Sequence, residues 1–296
     1  MNKRLDLPPA LTVTQVLDSH LAQVGDDLTV RRALPGHAVR AIGPWVFLDH
    51  FGPAPVSAQT RGVPPHPHAG IQTVTYLLDG RMAHRDSAGH AGIVGPGGAQ
   101  WMTAGRGIVH AEQPLPPEGA TAGTLHGVQL WTSLPRAKKA MPPGYQAIDA
   151  RDVAVQQQDG VQVRVVAGEL GGTTGPAHTE MPLLLWHVTL EPQATFGGLL
   201  PAGHEAGVYV LEGDVTVGEG GAAVALGHVA RLDAGQAPGA IMVHNPGDSR
   251  AQVLVLGGAP AEGPLVFHGP FVMNSVEQIR AAERAYMTGA MGLLSD

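Results

Sequence analysis

The sequence predicts an all-β protein built from two related β domains and closed by one short helix. Three observations predict it. Strand-like runs recur at about ten-residue spacing with Gly and Pro between them. Two of those runs are echoed later in the same order. Helical periodicity is confined to the last segment of the chain.

The strands come first. Thr73-Val74-Thr75-Tyr76-Leu77-Leu78 ends at Asp79-Gly80, a strong hairpin dipeptide. Asp86-Ser87-Ala88-Gly89 is a further turn signal. Gly95-Pro96-Gly97-Gly98 precedes the run Ala99–Thr103, and Gly105-Arg106-Gly107 breaks the chain again. Val128–Trp131, Val161–Val166 and Leu183–Leu190 read as further strands. Such spacing is that of an antiparallel barrel or sandwich. Val208–Gly213 echoes Thr75–Gly80, and Ala230–Gly235 echoes Gly92–Gly97, at offsets of 133 and 138 residues. An internal duplication is the simplest account, and a length of 296 residues suits two domains.

The stretch from Pro135 to about Gly160 differs in character. It carries Lys138-Lys139, Pro142-Pro143-Gly144 and Gln156-Gln157-Gln158, and it reads as an interdomain linker. The boundaries that follow are 1–135, a linker at 136–160, 161–268, and a tail at 269–296. In that tail Ser275 and Gln278 fit a capping box, with Ser at the N-cap and Gln at the third helical position. Val276, Ile279, Ala282 and Tyr286 then recur at three- and four-residue steps as an apolar stripe, and Gly289 is a stop.

Composition narrows the function. The hydrophobic content of 44% is ample for packed cores, whereas aromatics make up only 4%, so aliphatic side chains must fill them. The net charge of -7, with Lys at only three positions, disfavours direct nucleic-acid binding, which wants a basic stripe. There is no Cys, hence no disulfide, no zinc-thiolate site and no thiol nucleophile. Met1-Asn2-Lys3-Arg4 resembles the basic start of a signal peptide, but Asp6, Pro8 and Pro9 break the apolar run that should follow. No apolar run reaches 18 residues, so the expectation is a soluble, cytoplasmic protein without a membrane span.

The chemistry centres on His66-Pro67-His68 and His110-Ala111-Glu112. On a strand, residues i and i+2 share a face, so each pair aims two metal-binding groups in one direction. Together they offer three imidazoles and a carboxylate, a set suited to iron, manganese, nickel, copper or zinc. Spacing alone is weak, because 15 His in 296 residues make about one His-x-His expected by chance. His178-Thr179-Glu180 shows how easily such pairs arise, and it reads as a solvated loop.

The surroundings decide the matter. The whole run from His66 to Glu112 resembles the signature region of the pirin family within the cupin superfamily. Leu48–Pro53, Leu125–Trp131 and Gly269–Asn274 match that family too, so the resemblance spans nearly the whole chain. It implies two tandem cupin (jelly-roll-type) β-barrels with a short C-terminal helix. It also implies one metal in the N-terminal barrel, usually taken as Fe, held by His66, His68, His110 and Glu112, and a degenerate C-terminal barrel. Some members are associated with quercetin 2,3-dioxygenase activity, and another with transcriptional regulation through protein contacts.

The duplication tests the single-site expectation on the residues themselves. At an offset of 133, His66 and His68 fall on Leu199 and Pro201; at 138, His110 falls on Asp248, although His204 and His244 lie nearby. Many cupins also carry a carboxylate four residues after the second His, and here Gln72 stands there. His126 reads as a hydrogen-bonded core histidine with a ligand-orienting role as the alternative. Arg106 reads as a loop cap with contact to an anionic substrate as the alternative. His84, Arg85 and Asp86 read as structural residues leading into a turn.

The expected function is a metal-dependent dioxygenase acting on a flavonol or similar phenolic with O2, with Glu112 as ligand and candidate general base. The alternative is a non-catalytic, metal- or redox-sensing regulator acting through a protein partner. Structural zinc ranks last, since such sites usually recruit Cys.

Overall fold

A computed structural model describes residues 7–25 and 28–294; the basic start Met1–Arg4 lies outside them. Two compact units emerge. One comprises His20–Pro35, Trp45–Asp152 and the chain from Ala261 onward; the other comprises the chain up to Ser19, Gly36–Pro44 and Val153–Pro260. Each is a β-barrel of one seven-stranded and one four-stranded antiparallel sheet. The two cupin barrels predicted from the sequence are therefore present.

In the first barrel the large sheet runs, in spatial order, Gly144–Ile148, Ala99–Thr103, Ile71–Asp79, Ala122–Ser133, Trp45–Ser57, Leu28–Leu34, His20–Val24. The small sheet runs Val63–His68, Ile108–Leu115, Arg81–Asp86, Ala91–Val94. Strand alternation sorts the inner residues. Leu77, Met82 and Val94 join Val30, Phe51, Val56 and Leu125 in one apolar cluster. Two residues along the same strands, the inward positions turn polar, at Thr75 and His84. The barrel interior is thus dry and aliphatic in one part and lined by hydrogen-bonding groups in another.

The division differs from the boundaries read off the sequence. Strand Val13–Asp18 belongs to the second barrel, where it pairs with His228–Asp233. The segment 136–160 is no linker. Gly144–Ile148 adds an edge strand to Ala99–Thr103, and Ala154–Gln158 adds one to Val161–Ala167. Pro, Gly and Gln there mark sheet edges, where fewer ladder bonds are required of the chain.

The tail returns to the first barrel. Phe271, Met273, Ile279, Ala282 and Met291 pack with Ala69 and Val109, the neighbours of His68 and His110. The helix spans Val276–Met287. Ser275 caps it by accepting from Gln278 N, and the Gln278 amide oxygen accepts from Asn274 N, one residue earlier than a regular capping box requires. Of the predicted apolar stripe, Ile279 and Ala282 are buried while Val276 and Tyr286 are exposed. The stripe spans more of the helix than the barrel covers.

The second barrel repeats the sheet pattern around an aliphatic and aromatic cluster that includes Trp186, Phe196, Leu200, Val208, Ile241 and Val243. Its strands Thr195–Leu200 and Gly239–His244 occupy the small-sheet places of Val63–His68 and Ile108–Leu115. Leu200, Ile241 and Val243 thus stand on the counterparts of the strands that carry His66, His68 and His110 in the first barrel. The offset of 138 fails here: Asp248 lies beyond the strand, because spacing between the barrels is not constant. Among the described residues no helix is long and apolar enough to cross a membrane.

Candidate metal centre

Strands Val63–His68 and Ile108–Leu115 are neighbours, with His110 directly opposite His66 and Ile108 opposite His68. This pairing brings the three imidazoles together. Their ring centroids lie 4.3–5.0 Å apart. One ligand nitrogen from each falls within 4.8 Å of the other two, and this is the only such group of metal-binding side chains among the described residues. His68 and His110 are buried and His66 is half-buried.

The hydrogen bonds choose which nitrogen is offered. Nδ1 of His66 donates to the Pro64 carbonyl at 2.8 Å, and Nδ1 of His68 to the Pro270 carbonyl at 3.1 Å. A neutral imidazole protonated at Nδ1 presents a lone pair at Nε2. For His110, Nδ1 meets His84 Nδ1 at 3.4 Å, while Nε2 is buried without a hydrogen-bond partner. An orphaned buried nitrogen is costly unless something coordinates it. These donors fit a transition metal.

Burial disfavours the charged forms of His68 and His110. It pulls His68 down to about 3, helped by the charge of His66 and opposed by the Pro270 carbonyl. His110 is pushed well below the usual histidine range by burial, then by His66, His68 and His84. Uncharged imidazoles are the form a metal needs.

Glu112 is buried on the same strand but stands apart from the converging nitrogens. The pairing slips by one residue after His110, so Glu112 lies opposite Val63 rather than Pro64. Its Oε1 is 2.7 Å from Thr75 Oγ1, which is also 2.8 Å from Gln129. A hydroxyl has one proton and a carboxylate only accepts. Thr75 therefore donates to one of two oxygens at a time, Glu112 Oε1 or Gln129 Oε1.

Aromatic rings flank the cluster. Trp131 meets His68 edge-on at 4.9 Å and stacks on Phe47 at 4.0 Å. Trp131 and Gln129 are two apart on one strand and share a face.

Other positions behave differently. Gln72 is an odd number of residues from Thr75, so it sits on the opposite face of its strand and donates to Thr103 at 2.9 Å. It packs and does not face the cluster. His126 Nε2 lies 2.7 Å from His50 Nε2, which makes it a hydrogen-bonded histidine away from the ligands. Arg106 is exposed, and its backbone N–H donates to Met141. His178 is exposed on irregular chain.

His84 and Asp86, read from the sequence as structural residues leading into a turn, lie beside the cluster. Both are buried, at 5% and 3% exposure, and His84 stacks on Tyr145 at 4.6 Å. The signal was available: they share the i, i+2 spacing of the ligand pairs and lie on the adjoining strand.

A pirin model matches residues 27–132, and a model of the pirin C-terminal cupin domain matches 185–292. The chain belongs to the pirin family. A pirin-like protein of Solanum lycopersicum is 36% identical, over 96% of this chain and 94% of its own length. A crystal structure of a quercetin 2,3-dioxygenase from Acinetobacter baumannii is 33% identical, with a TM-score of 0.86 over 96% of this chain and 99% of that one. A bacterial pirin from Escherichia coli, solved in complex with nickel(II), shares the fold, with a TM-score of 0.64 at 21% identity over 83% of this chain and 99% of that one.

Proposed function

We propose that this pirin is a metal-dependent dioxygenase of the quercetin 2,3-dioxygenase type, taking iron and acting with O2 on a flavonol or similar phenolic. The observation that carries the reading is the convergence of three imidazoles inside the barrel, with a stacked aromatic pair beside one of them. His66, His68 and His110 would hold the metal, and Glu112, which stands apart from those nitrogens and is bonded to Thr75, would join them as the fourth ligand by a turn of its side chain. The metal, when bound, supplies a Lewis-acidic centre at which a phenolate and O2 can meet. Likeness to the Acinetobacter enzyme supports the substrate class.

The chain's own groups do the rest. Glu112 accepts the phenol's hydroxyl proton at a carboxylate oxygen, and Thr75 steadies the other side of that carboxylate by its hydroxyl proton. Trp131, backed by Phe47, offers an aromatic surface to a flat aromatic guest.

The test is oxygen uptake by iron-loaded protein with a flavonol, with His66→Ala as control. Uptake by the natural chain and none by the variant is expected. Equal uptake in both removes the reading. Tight metal binding without uptake would favour the regulatory alternative.

A further inference from the structure

His84 and Asp86 are two buried polar side chains that the reaction above does not use. Asp86 Oδ2 lies 3.1 Å from His84 Nε2, and His84 Nδ1 lies 3.4 Å from His110 Nδ1. His110 Nε2, at the far end of the ring, is the orphaned nitrogen of the cluster. A line of contacts therefore runs from a carboxylate, through one imidazole, to a metal-binding imidazole.

The proton positions along that line follow from valence. Asp86 as a carboxylate only accepts, so His84 Nε2 carries the hydrogen. A neutral His84 then has its lone pair at Nδ1. Two Nδ1 atoms face each other, and only one can donate; the donor must be His110. That leaves the His110 lone pair at Nε2. His66 and His68 reach the same tautomer through backbone carbonyls, which cannot reverse. His110 reaches it through side chains alone.

The relay is braced at both members. Asp86 Oδ1 accepts from the backbone N–H groups of Ala88 and His90, at 3.0 Å each, and His90 Nδ1 lies 2.9 Å from Oδ2. His84 is held in plane by Tyr145, with rings 15° apart. A carboxylate behind a ligand histidine fixes its tautomer and raises its basicity.

We propose that Asp86 and His84 are positioning residues that set the His110 tautomer and thereby how tightly the cluster holds its metal. The inference rests on the metal-site reading above. Asp86→Asn is the sharpest test. The amide oxygen can still accept from Ala88 and His90, while the amide NH2 now donates to His84 Nε2. The line then reverses: His84 Nδ1 donates to His110 Nδ1, and the His110 proton moves to Nε2.

Long-range 1H–15N correlations of metal-free protein report the tautomer directly. His110 is expected as Nδ1–H in the natural chain and as Nε2–H in Asp86→Asn. Zinc(II) affinity, by competition with a chromophoric chelator, is expected to fall about 10- to 100-fold in the variant. His84→Phe keeps a ring for Tyr145 but offers no nitrogen. It is expected to weaken zinc comparably, and it carries the test if Asp86→Asn fails to fold. An unchanged His110 tautomer in folded Asp86→Asn overturns the proposal, as does zinc affinity within twofold of the natural chain in either folded variant. If the natural chain binds no zinc, the metal-site reading falls. The tautomer measurement then still decides whether Asp86 and His84 set the His110 proton.

Discussion

Gly70→Ala probes how the tail of the chain holds the metal centre. Gly70 is buried, two residues after His68, with φ of +78°. A Cβ there would sit 2.2 Å from the Val272 carbonyl oxygen, 2.8 Å from Met273 Sδ and 3.2 Å from Lys139 Cδ. Adopting that φ costs Ala about 1–2 kcal/mol. Relieving the contact means moving a backbone oxygen by about 1 Å, an overpacking cost of about 1–3 kcal/mol. That oxygen also accepts from Lys139 Nζ at 2.8 Å, and loosening the bond adds about 1–2 kcal/mol. A total of about 3–7 kcal/mol is expected.

Gly119→Ala is the matched control. Its φ is +77°, yet nothing lies within 4 Å of the added Cβ, so it should lose only the conformational part, about 1–2 kcal/mol. Urea unfolding of metal-free protein measures both. In a Trp186→Phe background the remaining Trp45, Trp101 and Trp131 all belong to the first barrel. Zinc affinity should also fall in Gly70→Ala, because Val272 lies two residues from the Pro270 carbonyl that orients His68. Equal stability losses in the two variants, within about 1 kcal/mol, would refute the steric reasoning.

Three further outcomes are expected. Zinc at a hundred times its Kd should stabilise the natural chain by about 2.7 kcal/mol, and His66→Ala should abolish the gain in a thermal melt. His50, pulled down to about 3 by burial and by the charges of His126 and Arg31, stays neutral in the fold but protonates near pH 6.5 when unfolded. The unfolded chain thus binds more protons below pH 6.5, and stability is lost as pH falls toward the folded value. Between pH 6.5 and 5.5, urea titrations of the natural chain should lose about 1 kcal/mol more than those of His50→Gln. In the second barrel, Asn245 is 1% exposed and donates to the carbonyls of Leu190, Glu191 and Ser249 while accepting from Gly247 N. Asn245→Ala should cost about 2–4 kcal/mol in calorimetry, because those buried groups lose their partner.

Much of this protein was legible in one dimension because the relevant physics is local. Thr73–Leu78, Ala99–Thr103 and Leu183–Leu190 lie within or match observed strands, since short apolar runs between turn residues have few alternatives. The helix cap at Ser275 was legible for the same reason. His66 with His68, and His110 with Glu112, were legible because an i, i+2 spacing states which face a side chain takes.

Only the tertiary structure decided which strands became neighbours. The pairing of Val63–His68 with Ile108–Leu115 made three imidazoles converge, and a one-residue slip in that pairing set Glu112 against Thr75. It brought His84 and Asp86 behind His110, although their sequence reads as the approach to a turn. It also drew Gly144–Ile148 and the tail onto the first barrel and Val13–Asp18 onto the second. Alternation along a strand belongs to the chain itself. The partner a strand takes, and its register, depend on burying faces supplied by residues far away in sequence.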